Sequence, residues 1–404
     1  MSGAYPEALQ LVNKPSSVPG RSYRNNVNPG NGSVFQPSST IKIDIPTGGN
    51  VFLNNKQSFL KFTVTNASAG ALTLPSSAYG MFTRLEIYHG GNLLESINEY
   101  GALCNLFIDA QGATGWRTGY GTITAGTATS TAGAQIAAGQ SSTFAIPLMS
   151  GIIGAHLSKY TPLSFMDADS LRLELTVANL ADCVQAANPD WSISNVEFVA
   201  EMVELASDSM RMLRQATNGG NVTISSESFR NYNTQVPAGT TAISQLIPAK
   251  FSSLKALYVV YRRTADIGAT ANNPMSRVKP SAGVSTQFRV GSLAMPQKPI
   301  NGDAEHMSEL AKAMHSLSDI SVGGAFNNVN YAVVNNVNGK YAIGIELEKF
   351  SHATSVIESG ISTISQNVYL EQTYTVATVA LRMDSYAMFD QFLVVENGVA
   401  SVKF

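Results

Sequence analysis

Short segments in which apolar and polar residues alternate run through most of the chain. Ile41, Ile43 and Ile45 alternate with Lys42 and Asp44, and Leu60, Phe62 and Val64 with Lys61 and Thr63. Leu85 and Ile87 alternate with Arg84 and Glu86, and Leu171, Leu173, Leu175 and Val177 with Arg172, Glu174 and Thr176. A period of two sends one set of side chains inward and the other outward, which predicts half-buried strands. Phe144–Leu148 and Val196–Val199 are further strand candidates. One helix interrupts them: Ile97, Tyr100, Leu103, Leu106, Phe107 and Ala110 recur at spacings of three and four. The Gly/Ala/Thr/Ser-rich stretch at 112–142 follows, and a loop of that length is expected to project from its domain.

The second half repeats the plan. Strand-like runs at Val222–Ser226, Leu257–Tyr261 and Phe288–Gly291 lead to a helix with Met307, Leu310, Ala311, Met314 and Leu317 on one face. Strands resume with Ile343, Ile345 and Leu347, then Val368–Tyr374, Val379–Met383 and Phe392–Val395. A second loop is expected at 264–286, and Leu205–Arg214 reads as a short helical connector. Residues 1–38 are interrupted by Pro6, Pro15, Pro19, Pro29 and Pro37 and read as an extended arm. The expected division is therefore an arm over 1–38, a first β domain over 39–206, a connector over 207–221 and a second β domain over 222–404. Many short strands with turns between them predict an all-β chain of two sandwiches or jelly rolls, each with an inserted short helix.

Composition sharpens this. A chain of 404 residues is long enough for two or three domains. Charged residues make up 13% of it, about half the usual share, which fits a surface largely covered by neighbours. The formal net charge is −2, and the first forty residues hold only Lys14, Arg21 and Arg24 against Glu7. A protein that condenses nucleic acid itself needs many Lys and Arg, so strong direct nucleic-acid binding is not expected. Cys104 and Cys183 match neither a disulfide framework nor a zinc pattern and read as buried free thiols, consistent with folding in a reducing cytoplasm or nucleus. The N-terminus has no charged region followed by an apolar core, and no run approaches the roughly 20 apolar residues of a membrane span.

Candidate chemistry thins out on inspection. His89-Gly90-Gly91 resembles part of an oxyanion loop, but no Gly-x-Ser-x-Gly elbow accompanies it, so a turn is expected. His306 and His315 lie nine residues apart, on opposite faces of the predicted helix, and cannot share a metal there. Asp167 and Asp169 precede a strand and read as turn residues rather than an acid–base pair. Asn31, Asn66 and Asn221 sit in glycosylation sequons that read as chance. Tyr100, Trp116, Tyr120 and Trp191 suit either an interface or a core. No phosphate-cradling or dinucleotide-binding motif is present. No catalytic, cofactor-binding or metal-ligating residue is assigned.

The stretch Phe59–Asn66 followed by Met81–Glu95 resembles the first barrel of the double jelly-roll major capsid proteins of tailless double-stranded DNA viruses. Ser253–Tyr261 and Phe288–Ile300 resemble the matching part of the second. The resemblance implies two tandem eight-stranded jelly rolls and a non-enzymatic subunit of an icosahedral virion. It implies a homotrimer of pseudo-hexagonal outline that meets neighbouring capsomers, vertex (penton) proteins and minor capsid proteins, with a possible internal membrane. In the first barrel it implies a strand, a turn and a helix over Ser96–Ala110. Two other readings stay open: a single jelly-roll shell domain carrying a projecting β domain, and a secreted carbohydrate-binding β-sandwich protein.

Overall fold

The computed structural model describes residues 19–127, 134–154, 156–157, 159–317, 319, 324–349 and 359–404. Eight strands build the first barrel: β1 (Gly20–Val27), β2 (Thr40–Ile45), β3 (Phe59–Asn66), β4 (Phe82–His89), β5 (Asn92–Asn98), β6 (Ser141–Ile146), β7 (Leu171–Val177) and β8 (Trp191–Leu205). Eight more build the second: β9 (Val222–Val236), β10 (Ala242–Ile247), β11 (Leu254–Arg263), β12 (Val284–Val290), β13 (Leu293–Asn301), β14 (Ile343–Glu346), β15 (Val368–Tyr374) and β16 (Leu381–Glu396). The first barrel consists of sheets ordered β1-β8-β3-β6 and β2-β7-β4-β5; the second, of sheets ordered β9-β16-β11-β14 and β10-β15-β12-β13. Adding eight to each strand number of one barrel gives the other. The main path of every sheet is four antiparallel strands with jelly-roll connections, short strands add to one sheet of each barrel, and the plan occurs twice.

The alternation read from the sequence sets the register. In the first barrel Leu173 of β7 lies between Ile43 of β2 and Ile87 of β4, all three fully buried. Opposite them, Phe62 of β3 meets Phe82 edge-to-face at 5.1 Å, tying the two sheets through their inner faces. In the second barrel β11 does not alternate: Leu254 through Arg262 are all buried, as the continuous apolar run Ala256–Tyr261 in a strand covered on both faces requires.

Two helices occupy matching places. Between β5 and β6 lies α1 (Tyr100–Gln111), followed by the short α2 (Thr114–Thr118) and α3 (Tyr120–Thr124). The connector forms α4 (Ser207–Ala216). Between β13 and β14 lie α5 (Asp303–Ala313) and α6 (Asn328–Ala332).

The structure corrects several expectations. The first helix does not span Ser96–Ala110: Gly90, with φ of 57°, turns the chain back so that β5 pairs with β4 from Asn92 opposite His89 to Asn98 opposite Arg84. Ile97 belongs to that strand, and Glu99, at φ of 51°, separates strand from helix. Residues 20–27, within the segment expected to be an arm, form β1 and pair with β8 along their whole length; residues 1–18 lie outside the described residues. The stretch 112–142 contains α2, α3, a short strand (Ala134–Ile136) and the start of β6, with 128–133 outside the described residues. The 264–286 segment is a loop up to Val284, where β12 begins, and its residues 273–281 are buried. Leu381–Met383 and Phe392–Val395, expected as separate strands, lie along a single one, β16. Strand β13 escaped the sequence reading because Pro296 and Pro299 interrupt it; it is a sheet edge, where missing amide donors are tolerated.

Candidate functional site

Charged residues are scarce, yet many are buried together where the two barrels meet. Helix α1 belongs to the first barrel by sequence and packs on the second. Phe107 meets Phe229 of β9 edge-to-face at 5.2 Å and Tyr258 of β11 at 5.5 Å, and Gln111 Nε2 donates to the carbonyl of Met314 at 3.2 Å. Ten of its twelve residues are buried, so it has no solvent face of any width.

At the N-terminal end of α1, Glu99 reaches two arginines of the second barrel. Arg262 Nη2 lies 2.6 Å from Glu99 Oε2 and 3.0 Å from Asp384 Oδ2. Arg382 Nη2 lies 2.8 Å from Glu99 Oε1 and 3.0 Å from Asp384 Oδ1. Two cations face two carboxylates, and the Tyr386 hydroxyl donates to the Glu99 carbonyl at 3.2 Å. Burial alone would raise the pKa of Glu99, but the two guanidinium charges bring it below the usual range. Burial likewise works against a charged Arg262, and Asp384 and Glu99 overcome it, so the guanidinium holds its proton more tightly than usual. Removing one member of such a buried set costs about 3–5 kcal/mol, because a charge is left without its partner.

Three further contacts stitch the seam. Asp109 near the C-terminal end of α1 takes Arg277 Nη2 and Lys340 Nζ, each at 2.6 Å. Glu95 of β5 accepts from Ser150 Oγ, from the Gly151 amide at 2.9 Å and from Ser228 Oγ of β9 at 2.6 Å. Glu95 has no cation in that set and is fully buried, so desolvation raises its pKa while these hydrogen bonds oppose the rise. The third contact is His89, whose Nδ1 accepts the Ala400 amide at 3.1 Å while Nε2 donates to the Met166 carbonyl at 3.3 Å.

The sequence candidates fall elsewhere or into structural roles. His89-Gly90-Gly91 carries the turn from β4 to β5, with His89 turned into the seam. His306 is buried, its Nδ1 2.8 Å from the Gly302 carbonyl and its Nε2 2.9 Å from Thr286 Oγ1. His315 lies beyond the end of α5, so the two histidines are apart. Asp169 accepts the amide of Ser170 at 2.7 Å, a turn contact. Asp167 sits against Gly398, where a Cβ would approach its Oδ1 to 2.4 Å. Asn66 is fully buried and donates to the carbonyls of Gly70 and Ile136, so its amide is unavailable to a glycan; Asn31 donates to Thr40. Asn221 accepts the amide of Asn397. Tyr100 and Trp191 are core residues, the tyrosine hydroxyl accepting from Met149 and the indole donating to Leu180. Trp116 is half-buried, and Tyr120 is exposed. Cys104 and Cys183 are buried free thiols, pushed well above ordinary thiol pKa values by desolvation.

Among the described residues, one group has a donor set suited to a cation: His315 with Glu346 and Glu348, at 4.0 and 3.8 Å. Lys255 Nζ already lies 2.7 Å from Glu348, supplying positive charge there. Among the described residues, no helix is long and apolar enough to cross a membrane.

The seam residues Glu99, Asp109, Arg262, Arg277, Lys340, Arg382 and Asp384 were not singled out from sequence. A signal existed for two of them. Arg262 closes the apolar run Ala256–Tyr261, and Asp384 is a charge within the buried stretch of β16. A charge at a core position calls for a buried partner.

No protein-family model matches the sequence, and no curated protein matches it significantly. Solved structures do resemble it. The quasi-atomic PBCV-1 virus capsid superposes with a TM-score of 0.65 at 11% identity, covering 98% of this chain and 99% of that one. The Faustovirus major capsid protein gives 0.56 at 11% identity, over 96% and 92%. The mavirus major capsid protein gives 0.53 at 9% identity, over 100% and 95%. At such identities the likeness is one of fold, and it spans both barrels and the junction between them. The chain has the double jelly-roll fold of viral major capsid proteins.

Proposed function

We propose that this chain is the major capsid subunit of an icosahedral virion, a structural protein rather than an enzyme. The observation that carries the reading is the end-to-end match, over nearly the full length of both chains, to solved major capsid proteins. A fold alone does not fix a function, so the surface must agree. Large apolar side chains stand exposed on both barrels and the connector, among them Val34, Leu93 and Ile123, Met212 of α4, and Leu293, Leu317 and Val329. Together with a charged fraction of 13%, they suit a surface that neighbours cover.

In this reading the domains are a first jelly roll that includes β1, the connector carrying α4, and a second jelly roll beginning at β9. Three copies form a closed trimer, and six similar barrels around one axis give a pseudo-hexagonal outline that tiles a shell. Such obligate contacts bury several thousand square ångströms. Neighbouring capsomers, vertex proteins and minor capsid proteins are the partners. A net charge of −2 supports a genome neutralised by other components, or a membrane beneath the shell.

Negative-stain images of the purified chain test this. Particles with a hexagonal outline of six lobes are expected. Two-lobed particles the size of a single chain would contradict it.

A further inference from the structure

We infer that the cleft at the helical end of the seam is a binding site for one oxyanion group, a phosphate, sulfate or carboxylate. The cleft has a volume of about 570 Å³ and is lined by both barrels, from α1 and α2 on one side to residues 273–277 and 336–340 on the other. Three cationic side chains, Arg117, Arg277 and Lys340, line it against one carboxylate, Asp109. Asp109 is already engaged by Arg277 and Lys340 at 2.6 Å each. Among the described residues, neither of its oxygens makes an ion pair with the third cation.

Arg117 is that third cation. It projects from α2 with only 9% of its surface exposed, and its guanidinium has no hydrogen-bond or ion-pair partner among the described residues. Its stem lies against Gly112, where a Cβ would come within 3.1 Å of Arg117 Cδ, so the glycine leaves room for the arginine to lie into the cleft. A second orphan stands nearby: Arg277 Nε is buried without a hydrogen-bond partner. Lys340 responds to the same crowding. Burial lowers its pKa, and the charges of Arg117 and Arg277 lower it further, while Asp109 opposes both.

A buried cation without a counter-charge is costly, and three against one carboxylate leave an excess of positive charge. An oxyanion resolves both deficits. A guanidinium presents donors in a planar fork matched to carboxylate, sulfate and phosphate oxygens. Most neutral groups around the cleft are spoken for: Asn327 caps α6, Asn330 donates to Ala325, and Asn336 donates to Val329. The unsatisfied chemistry is cationic, so the ligand is defined by its charge. This inference stands on the cleft alone and does not depend on assembly.

Isothermal titration of the full chain with inorganic phosphate, at constant ionic strength set by sodium chloride, tests it. Saturable binding is expected, with affinity at least tenfold weaker in Arg117→Gln and intermediate in Arg117→Lys, which keeps the charge but loses the fork. Thermal melts of each variant establish that it is folded; should Arg117→Gln fail to fold, Arg117→Lys carries the comparison. Absence of saturable binding to the wild type, or equal affinity in the folded variants, would overturn the site. A parallel titration with glucose 6-phosphate separates two sources of the same chemistry. Tighter binding than inorganic phosphate assigns the site to a sugar-borne oxyanion, and equal or weaker binding to the free ion.

Discussion

Helices α1 and α5 hold the same place in the two barrels, between the fifth and sixth strands of each, yet they live in different surroundings. Helix α1 is buried on nearly every side, whereas α5 buries His306, Leu310 and Ala313 and leaves the rest at least partly open. The difference comes from docking. Helix α1 is wedged between its own barrel and the second, while α5 packs chiefly on β14 and its neighbours. A duplicated plan therefore does not give duplicated environments: the seam makes one insertion a core element and leaves the other an amphipathic cover.

The largest difference between the two barrels lies in the seam's charges. Asp384→Ala leaves Arg262 and Arg382 sharing Glu99 alone and should destabilise the chain by about 3–5 kcal/mol, read from the denaturation midpoint. Ser194, also fourth in the last strand of its barrel, has no such network, and Ser194→Ala should change stability by less than about 0.5 kcal/mol.

Next come the helices themselves. Phe107→Ala removes the ring between Phe229 and Tyr258, should cost about 3–5 kcal/mol, and should split the calorimetric transition into one per barrel. Leu310→Ala, at the corresponding turn of α5, should cost about 2–5 kcal/mol without splitting it. A single transition for Phe107→Ala would show that α1 does not couple the barrels.

A smaller effect separates two seam carboxylates by pH. Glu95 has a raised pKa in the fold, so the native state holds its proton where the unfolded chain has lost it. Its contribution is present below the ordinary glutamate range and is lost as pH rises through the raised value. Glu227 of β9, whose Oε2 lies 3.6 Å from Nδ1 of His156 between β6 and β7, behaves oppositely. Burial would raise it, but hydrogen bonding from His156 and the charge of Lys255 bring it to about 2, so its stabilisation is present above the ordinary range and lost as pH falls toward 2. Glu95→Gln should flatten the decline of stability above about pH 5, and Glu227→Gln the decline below about pH 4, in melts across pH. Matching slopes in wild type and both variants would contradict the assignment.

The smallest change lies on the open face of α5. Lys312 pairs with Glu309 at 2.6 Å on the surface, and Lys312→Ala should shift stability by about 0.5 kcal/mol or less in a thermal melt.

The elements that face water on one side were the legible ones. Strands β2, β3, β4 and β7 could be read because one face is core and the other is not, so the period of two survives in the sequence. Strand β5 was misread because Ile97 and Tyr100 keep helical spacing across the left-handed Glu99, a backbone feature that periodicity does not encode. Strand β13 was hidden by its prolines, which only its position at a sheet edge excuses. The seam was the least legible part. Glu99 and Arg262 are 163 residues apart in sequence, and nothing local in either segment names the other. Arg117 was passed over for the same reason: its significance lies in the cations it meets from the other barrel.

A capsid subunit must assemble, and the mass of the purified chain by light scattering tests this most directly. A stable species of three times the 42.9 kDa chain mass is predicted, persisting on dilution. A well-behaved 42.9 kDa monomer with no tendency to associate would contradict the capsid-subunit reading and leave the double jelly-roll fold without its proposed role.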